Sequence, residues 1–143
     1  MKMGMQERKY RTQWSAQFFT AGELARRGYL VSLTLGNAPV ADLLVQSPSG
    51  THFTVDVKGQ STKNFWLIQK REPNPAHFFV LVYLPSDLGP PRYFIVPSDE
   101  LMRRREEYRT RIISKGARYR DELGGINWST ASQYENNWGC LPT

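Results

Sequence analysis

Three side chains in this 143-residue sequence have the types and spacing to act together on a phosphodiester: Asp42, Asp56 and Lys58. In an extended segment successive side chains alternate between faces, so Phe53, Val55 and Val57 share one side while Thr54, Asp56 and Lys58 share the other. Asp42 opens the preceding apolar segment and can join them, because antiparallel neighbours bring opposed side chains close together. Two carboxylates offer hard oxygen ligands to Mg²⁺ or Mn²⁺, and an ammonium beside them positions a water or offsets phosphate charge. The chemistry implied is metal-dependent hydrolysis of phosphodiester bonds. The bland alternative is an Asp42 that merely ends a loop and an Asp56–Lys58 surface ion pair of little worth.

Several elements must position these groups. From Gln13 to Arg27, Trp14, Phe18, Ala21 and Ala25 fall on one helical stripe, and Gly28 stands where a C-terminal cap belongs. The stripe predicts a helix lying on a sheet. Gln17 borders it as the inward polar residue, either a satisfied structural amide or a part of the site, whereas Glu23 points away. Tyr29 to Leu35, Val40 to Gln46 and Thr51 to Lys58 read as strands. Gly36-Asn37 and Ser47-Pro48-Ser49-Gly50 separate them.

Farther on, Asn64 to Gln69 suggests a short extra strand, and the two prolines within Lys70 to Pro75 exclude a regular helix. The apolar run His77 to Leu84 predicts a strand covered on both faces in the middle of the sheet. Arg92 to Val96 gives another strand, and a helix starts at Pro97-Ser98 with Ser98 as N-cap and runs past Tyr108. Trp128, Tyr134 and Trp138 predict a tail that packs back, and Met1 to Arg11 reads as a loose basic leader.

A helix ending in Gly28, a strand opened by Asp42, a turn, and a strand ending in Asp56-Val57-Lys58-Gly59-Gln60 resemble the PD-(D/E)XK nuclease superfamily. The likeness is nearest to its small Holliday-junction-resolvase-like members, with Ala41-Asp42 standing for Pro-Asp, and it is strongest from Trp14 to Gln60. It implies a restriction endonuclease-like α/β fold with a central mixed sheet of about five strands and helices packed on its faces. It also implies Asp42 and Asp56 as metal ligands, Lys58 as the residue that places or activates water, and Gln60 and Gln17 as supporting site residues. Gln17 stands where the resolvase-like members carry a glutamate on the first helix. Such enzymes often dimerise to cut both strands, so the resemblance implies a homodimer. The superfamily's crossover helix between the third and fourth strands has no counterpart in the proline-rich segment after Lys70.

Composition suits this chemistry. The net charge of +6 and hydrophobic content of 40% describe one basic globular domain over the whole chain, with nucleic acid, DNA before RNA, as the expected partner. Lys63, Lys70 and Arg71 lie around Phe65 and Trp66, which could grip a backbone and stack a base or simply fill a core. Arg103, Arg104, Arg105, Arg109 and Arg111 form either a phosphate-contacting face or a solvated helix paired with Glu106 and Glu107. Cys140 is the single cysteine, and His52 and His77 are too isolated to suggest a histidine metal centre. No apolar run reaches spanning length, so a cytoplasmic protein without a membrane segment is expected. No P-loop or dinucleotide fingerprint occurs. The rival readings are a nucleic-acid-binding module that cuts weakly or not at all, and a partner-binding protein in which the motif is vestigial.

Overall fold

The computed structural model describes residues 4–34 and 41–143. A long helix, α1 (Met5–Arg26), leads into an antiparallel meander of β1 (Leu30–Leu33), β2 (Leu43–Gln46) and β3 (His52–Gln60). After a short β4 (Trp66–Leu67), β5 (His77–Tyr83) lies parallel to β3, and β6 (Arg92–Pro97) returns antiparallel to β5. The result is a mixed five-stranded sheet in the order β1-β2-β3-β5-β6. The second long helix, α2 (Ser98–Ser114), precedes β7 (Gly125–Ile126) and a short α3 (Trp128–Ser132), and β7 pairs with β4 in a separate two-stranded ribbon.

Each face of the sheet has its own core. Phe53, Val55 and Val57 of β3, with Phe78, Val80 and Val82 of β5, pack against Ala16 and Leu24 of α1 and against Trp138 and Leu141. On the other face Phe79, Leu81, Phe94 and Val96 pack against Leu101, Trp66, Ile126, Ala131 and Tyr134. This two-sided burial is why His77–Tyr83 reads as an unbroken apolar run. β3, not β5, is the middle strand. The tail rings do pack back, and the parallel β3–β5 connection runs through β4 and irregular chain rather than a helix.

Helix α1 departs from expectation in extent and in rotation. Met5 to Arg11 belongs to the helix and is no loose leader. The helix ends as expected, with Gly28 at φ +95° and the Tyr29 and Gly28 amides donating to Leu24 and Ala25 carbonyls. Its buried residues, however, are Ala16, Thr20 and Leu24, while Trp14 and Phe18 are exposed. The cause is a close approach to β3: a Cβ at Gly59 would lie 2.6 Å from the Ala16 Cβ. Only a small-residue face fits there. Ser98 is likewise not the N-cap but the first helical residue, and its buried hydroxyl accepts the Asn74 amide. The expected break at Gly36-Asn37 and strand start at Val40 lie outside the described residues.

Candidate active site at the edge of the central strand

β2 begins only at Leu43, opposite Val55, whereas β3 continues to Gln60. Beyond that point the β2-facing backbone groups of β3 need other partners. Val57 donates its amide to Asp42 Oδ2 at 2.8 Å. Gln13 of α1 serves the next groups: Nε2 donates to the Val57 carbonyl at 2.7 Å, and Oε1 accepts the Gly59 amide at 3.1 Å. The Gln13 amide thus does what a peptide group of a neighbouring strand would do. Gln17, one turn along, donates Nε2 to Asp42 Oδ1 at 3.3 Å.

Asp42 is therefore held by a strand amide and a helix amide beside Asp56. Its pKa lies above the usual aspartate value, first because burial disfavours the charge and also because Asp56 is near, despite the opposing hydrogen bond from Val57. Asp56 behaves oppositely. Burial would raise its pKa, but the His77 hydrogen bond and the charges around it bring the net shift below the usual value. His77 Nε2 lies 3.4 Å and Arg71 Nη1 2.7 Å from Asp56 Oδ2. His77 is buried on the same face, with Nδ1 2.6 Å from Thr54 Oγ1.

The residues expected from the sequence divide into three groups. Asp42, Asp56 and Gln17 come together; Lys58 stands two residues along from Asp56, lowers the pKa of both aspartates by its charge, and makes no hydrogen bond or ion pair among the described residues. Lys58 and Lys70 line a groove of about 580 Å³ with Leu67, Gln69, Arg105, Asp121 and Glu122. Gln60 shares the strand face of Asp56 and Lys58, but its Nε2 donates to the Asn64 carbonyl at 2.8 Å, a turn contact. Arg71, expected on a nucleic-acid surface, is paired with Asp56. Thr54 shares the Asp56 face as the alternation predicts but carried no site role there, His77 was weighed only as a metal ligand, and Gln13 was missed; the signal for Gln13 is its i, i+4 spacing from Gln17 on a helix.

The arginine-rich helix is largely tied to the protein itself. Arg105 is a correction: it is buried, donates to the Ile68 carbonyl at 2.6 Å and to Asp121, and cannot belong to an outer phosphate-contacting face. Arg104 bonds the Tyr134 hydroxyl and Gln133. Arg103 pairs with Glu107 and Arg109 with Glu106, and Arg111 lies over Tyr108. Lys63 stands over the Tyr83 and Trp128 rings. Trp66 is core, and Phe65 packs against Tyr108.

Among the described residues no group of three or more His, Cys, Asp or Glu side chains could hold a metal ion. The donor set nevertheless suits hydrated Mg²⁺ or Mn²⁺. Such ions bind through one or two carboxylates, keeping waters or substrate oxygens for the remaining positions. A buried, charge-disfavoured Asp42 next to Asp56 is a place where a cation lowers the free energy, and Arg71 already puts one on Asp56.

No family model matches the chain, and no curated protein matches its sequence. Among solved structures, a bacterial homing endonuclease is similar, at 19% identity and a TM-score of 0.49 over 90% of this chain and 86% of that one. No helix among the described residues is long and apolar enough to cross a membrane.

Proposed function

We propose that this chain is a Mg²⁺- or Mn²⁺-dependent nuclease of the restriction endonuclease-like kind, acting on DNA before RNA. One observation carries the reading: Asp42 and Asp56, fourteen positions apart in sequence, lie close together at the edge of β3 that β2 does not cover, with Lys58 on the same strand. Asp42 and Asp56 would hold the ion, which when bound supplies charge stabilisation to a phosphodiester under attack. Lys58, with no hydrogen-bond or ion-pair partner among the described residues, is left to hold the attacking water or a phosphate oxygen. Gln17 fixes the Asp42 carboxylate through its amide nitrogen, so its role here is positioning; ligation through its oxygen would require the amide to flip. Lys70, on the Lys58 groove, is placed to contact the strand backbone, a contact that salt weakens.

The test is cleavage of labelled DNA with Mn²⁺ and with EDTA, using the parent and Lys58→Ala. Cutting by the parent alone, and only with metal, supports the reading; equal cutting by Lys58→Ala removes Lys58 from the chemistry. The Arg71–Asp56 pair favours a second reading, a nucleic-acid-binding module that cuts weakly, because a guanidinium already occupies a carboxylate oxygen that a metal would use. Salt-dependent DNA binding without metal-dependent cutting would select it.

A further inference from the structure

The buried imidazole of His77 has no task in the chemistry proposed above. It is 2% exposed, on the first residue of β5, and stands edge-on to Phe79 with ring centroids 5.0 Å apart, which fixes its plane. The parallel register sets it opposite Thr54, on the sheet face that carries Asp56. Nδ1 lies 2.6 Å from the Thr54 hydroxyl, and Nε2 faces two groups at once, Asp56 Oδ2 at 3.4 Å and Arg71 Nη1 at 3.3 Å. A hydroxyl both donates and accepts, so Thr54 serves either ring tautomer. With the proton on Nε2 the ring bonds Asp56; with the proton on Nδ1, donated to Thr54, Nε2 turns a lone pair toward the Arg71 cation.

We propose that His77 Nε2 is a metal ligand beside Asp56, so that the site takes a transition-metal ion such as Mn²⁺, Co²⁺ or Zn²⁺ in preference to Mg²⁺; this rests on the function proposed above only in taking Asp56 as a ligand. Spacing supports it. Two ligands each ~2.1 Å from a tetrahedral ion stand ~3.4 Å apart, and Nε2 and Oδ2 are 3.4 Å apart. A stand-in cation is already there: Arg71 places one guanidinium nitrogen, Nη1, 2.7 Å from Oδ2 and 3.3 Å from Nε2. The Arg71 side chain is 36% exposed, at the surface, where it can yield that place to an ion. Thr54 supplies what a ligating imidazole needs on its far side, a partner for the Nδ1 hydrogen that fixes both tautomer and ring orientation. One nitrogen and one carboxylate oxygen leave the remaining positions to oxygen ligands. Imidazole nitrogen suits transition metals, whereas Mg²⁺ is bound through oxygen, and this sets the preference. His52, the other histidine, is exposed.

Electron spin-echo envelope modulation of bound Mn²⁺ reads a nitrogen ligand directly, without any cleavage. The parent should show nitrogen modulation, and His52→Gln should keep it. His77→Gln should lose it, bind Mn²⁺ at least about 10-fold more weakly by calorimetry, and discriminate less between Mn²⁺ and Mg²⁺. Thr54→Val keeps the side chain's shape and removes the bond to Nδ1, so it should keep the modulation and weaken Mn²⁺ binding about 10-fold. Circular dichroism melts check that the variants fold; should His77→Gln fail to fold, Thr54→Val decides, and an unchanged Mn²⁺ affinity there overturns the proposal. Bound Mn²⁺ without nitrogen modulation in the parent, or modulation that survives His77→Gln, removes His77 from the metal and leaves the two aspartates standing as ligands. A parent that binds no Mn²⁺ overturns the metal-dependent function along with it.

Discussion

Replacing Gly59 with alanine should loosen α1 and dismantle one wall of the site together. The new methyl would stand 2.6 Å from the Ala16 Cβ and 3.0 Å from the Thr12 carbonyl oxygen. Comfortable carbon contacts begin near ~3.5 Å, so the helix must retreat by about 1 Å. The Gln13 bonds at 2.7 and 3.1 Å and the Gln17 bond at 3.3 Å then pass out of hydrogen-bonding range. Leaving the Val57 carbonyl and the Gly59 amide unpaired costs about 1–3 kcal/mol each, and the stiffer unfolded chain returns up to ~1 kcal/mol. The net loss is about 1–6 kcal/mol, a fall in Tm on the order of 10 °C for a domain of this size. Thermal melts followed by circular dichroism measure it. Ala16→Gly removes the atom struck first, so the Ala16→Gly/Gly59→Ala double variant should melt above Gly59→Ala alone, with a coupling of at least ~1 kcal/mol. A single variant within about 2 °C of the parent, or strictly additive effects, would refute the close approach as the reason α1 shows its small residues to the sheet.

The two aspartates should respond to acid with opposite signs. Asp42, raised above its ordinary 3.8, holds its proton more tightly when folded, so its ionisation costs stability that returns as pH falls through its folded pKa. Asp56, lowered from 3.8, contributes stability above the unfolded value that disappears as pH falls through its folded pKa. Asp56→Asn should therefore destabilise at pH 7 and converge on the parent in acid, while Asp42→Asn should lack the parent's gain on acidification; urea melts from pH 3 to 7 would show parallel curves if the assignment is wrong. Arg71→Gln should tighten Mn²⁺ binding in calorimetric titration, because the ion no longer competes with a guanidinium 2.7 Å from Asp56, and an unchanged or weaker affinity would mean the metal does not use that carboxylate. Arg105→Leu should cost about 3 kcal/mol by stranding the Ile68 carbonyl and Asp121, whereas Arg103→Ala should cost less than ~1 kcal/mol, its partner Glu107 being a surface pair.

The alternation in Phe53 to Lys58 and the position of Asp42 made the acidic pair legible in the sequence, since both follow from the period of a strand and the reach across a hairpin. The rotation of α1 was not legible. Its apolar periodicity is real but serves the outside, and the determinant of its docking is Gly59, a residue on another element forty-three positions from Ala16. The fate of the arginines was hidden for a similar reason. Arg105 is distinguished from Arg103 only by Ile68 and Asp121, which tertiary structure brings to it. Arg71 and His77 meet Asp56 because β5 lies parallel to β3, with Asp56 opposite Phe79, a pairing that local pattern does not encode.

The late start of β2, one residue after Asp42, divides the two carboxylates between regions of unequal permanence. Asp56 sits on the middle strand, hydrogen-bonded along a partner that is buried on both faces, and its amides should exchange with solvent only on global unfolding. Asp42 rides at the end of a two-strand margin whose outer member, β1, is four residues long with Leu30 69% exposed. Such a margin opens more often than the centre, and each opening carries one carboxylate away while the other stays. Affinity for an ion that needs both is then discounted by the fraction of time the margin is open, so substitutions in β1 far from either aspartate would tune metal affinity without touching a ligand.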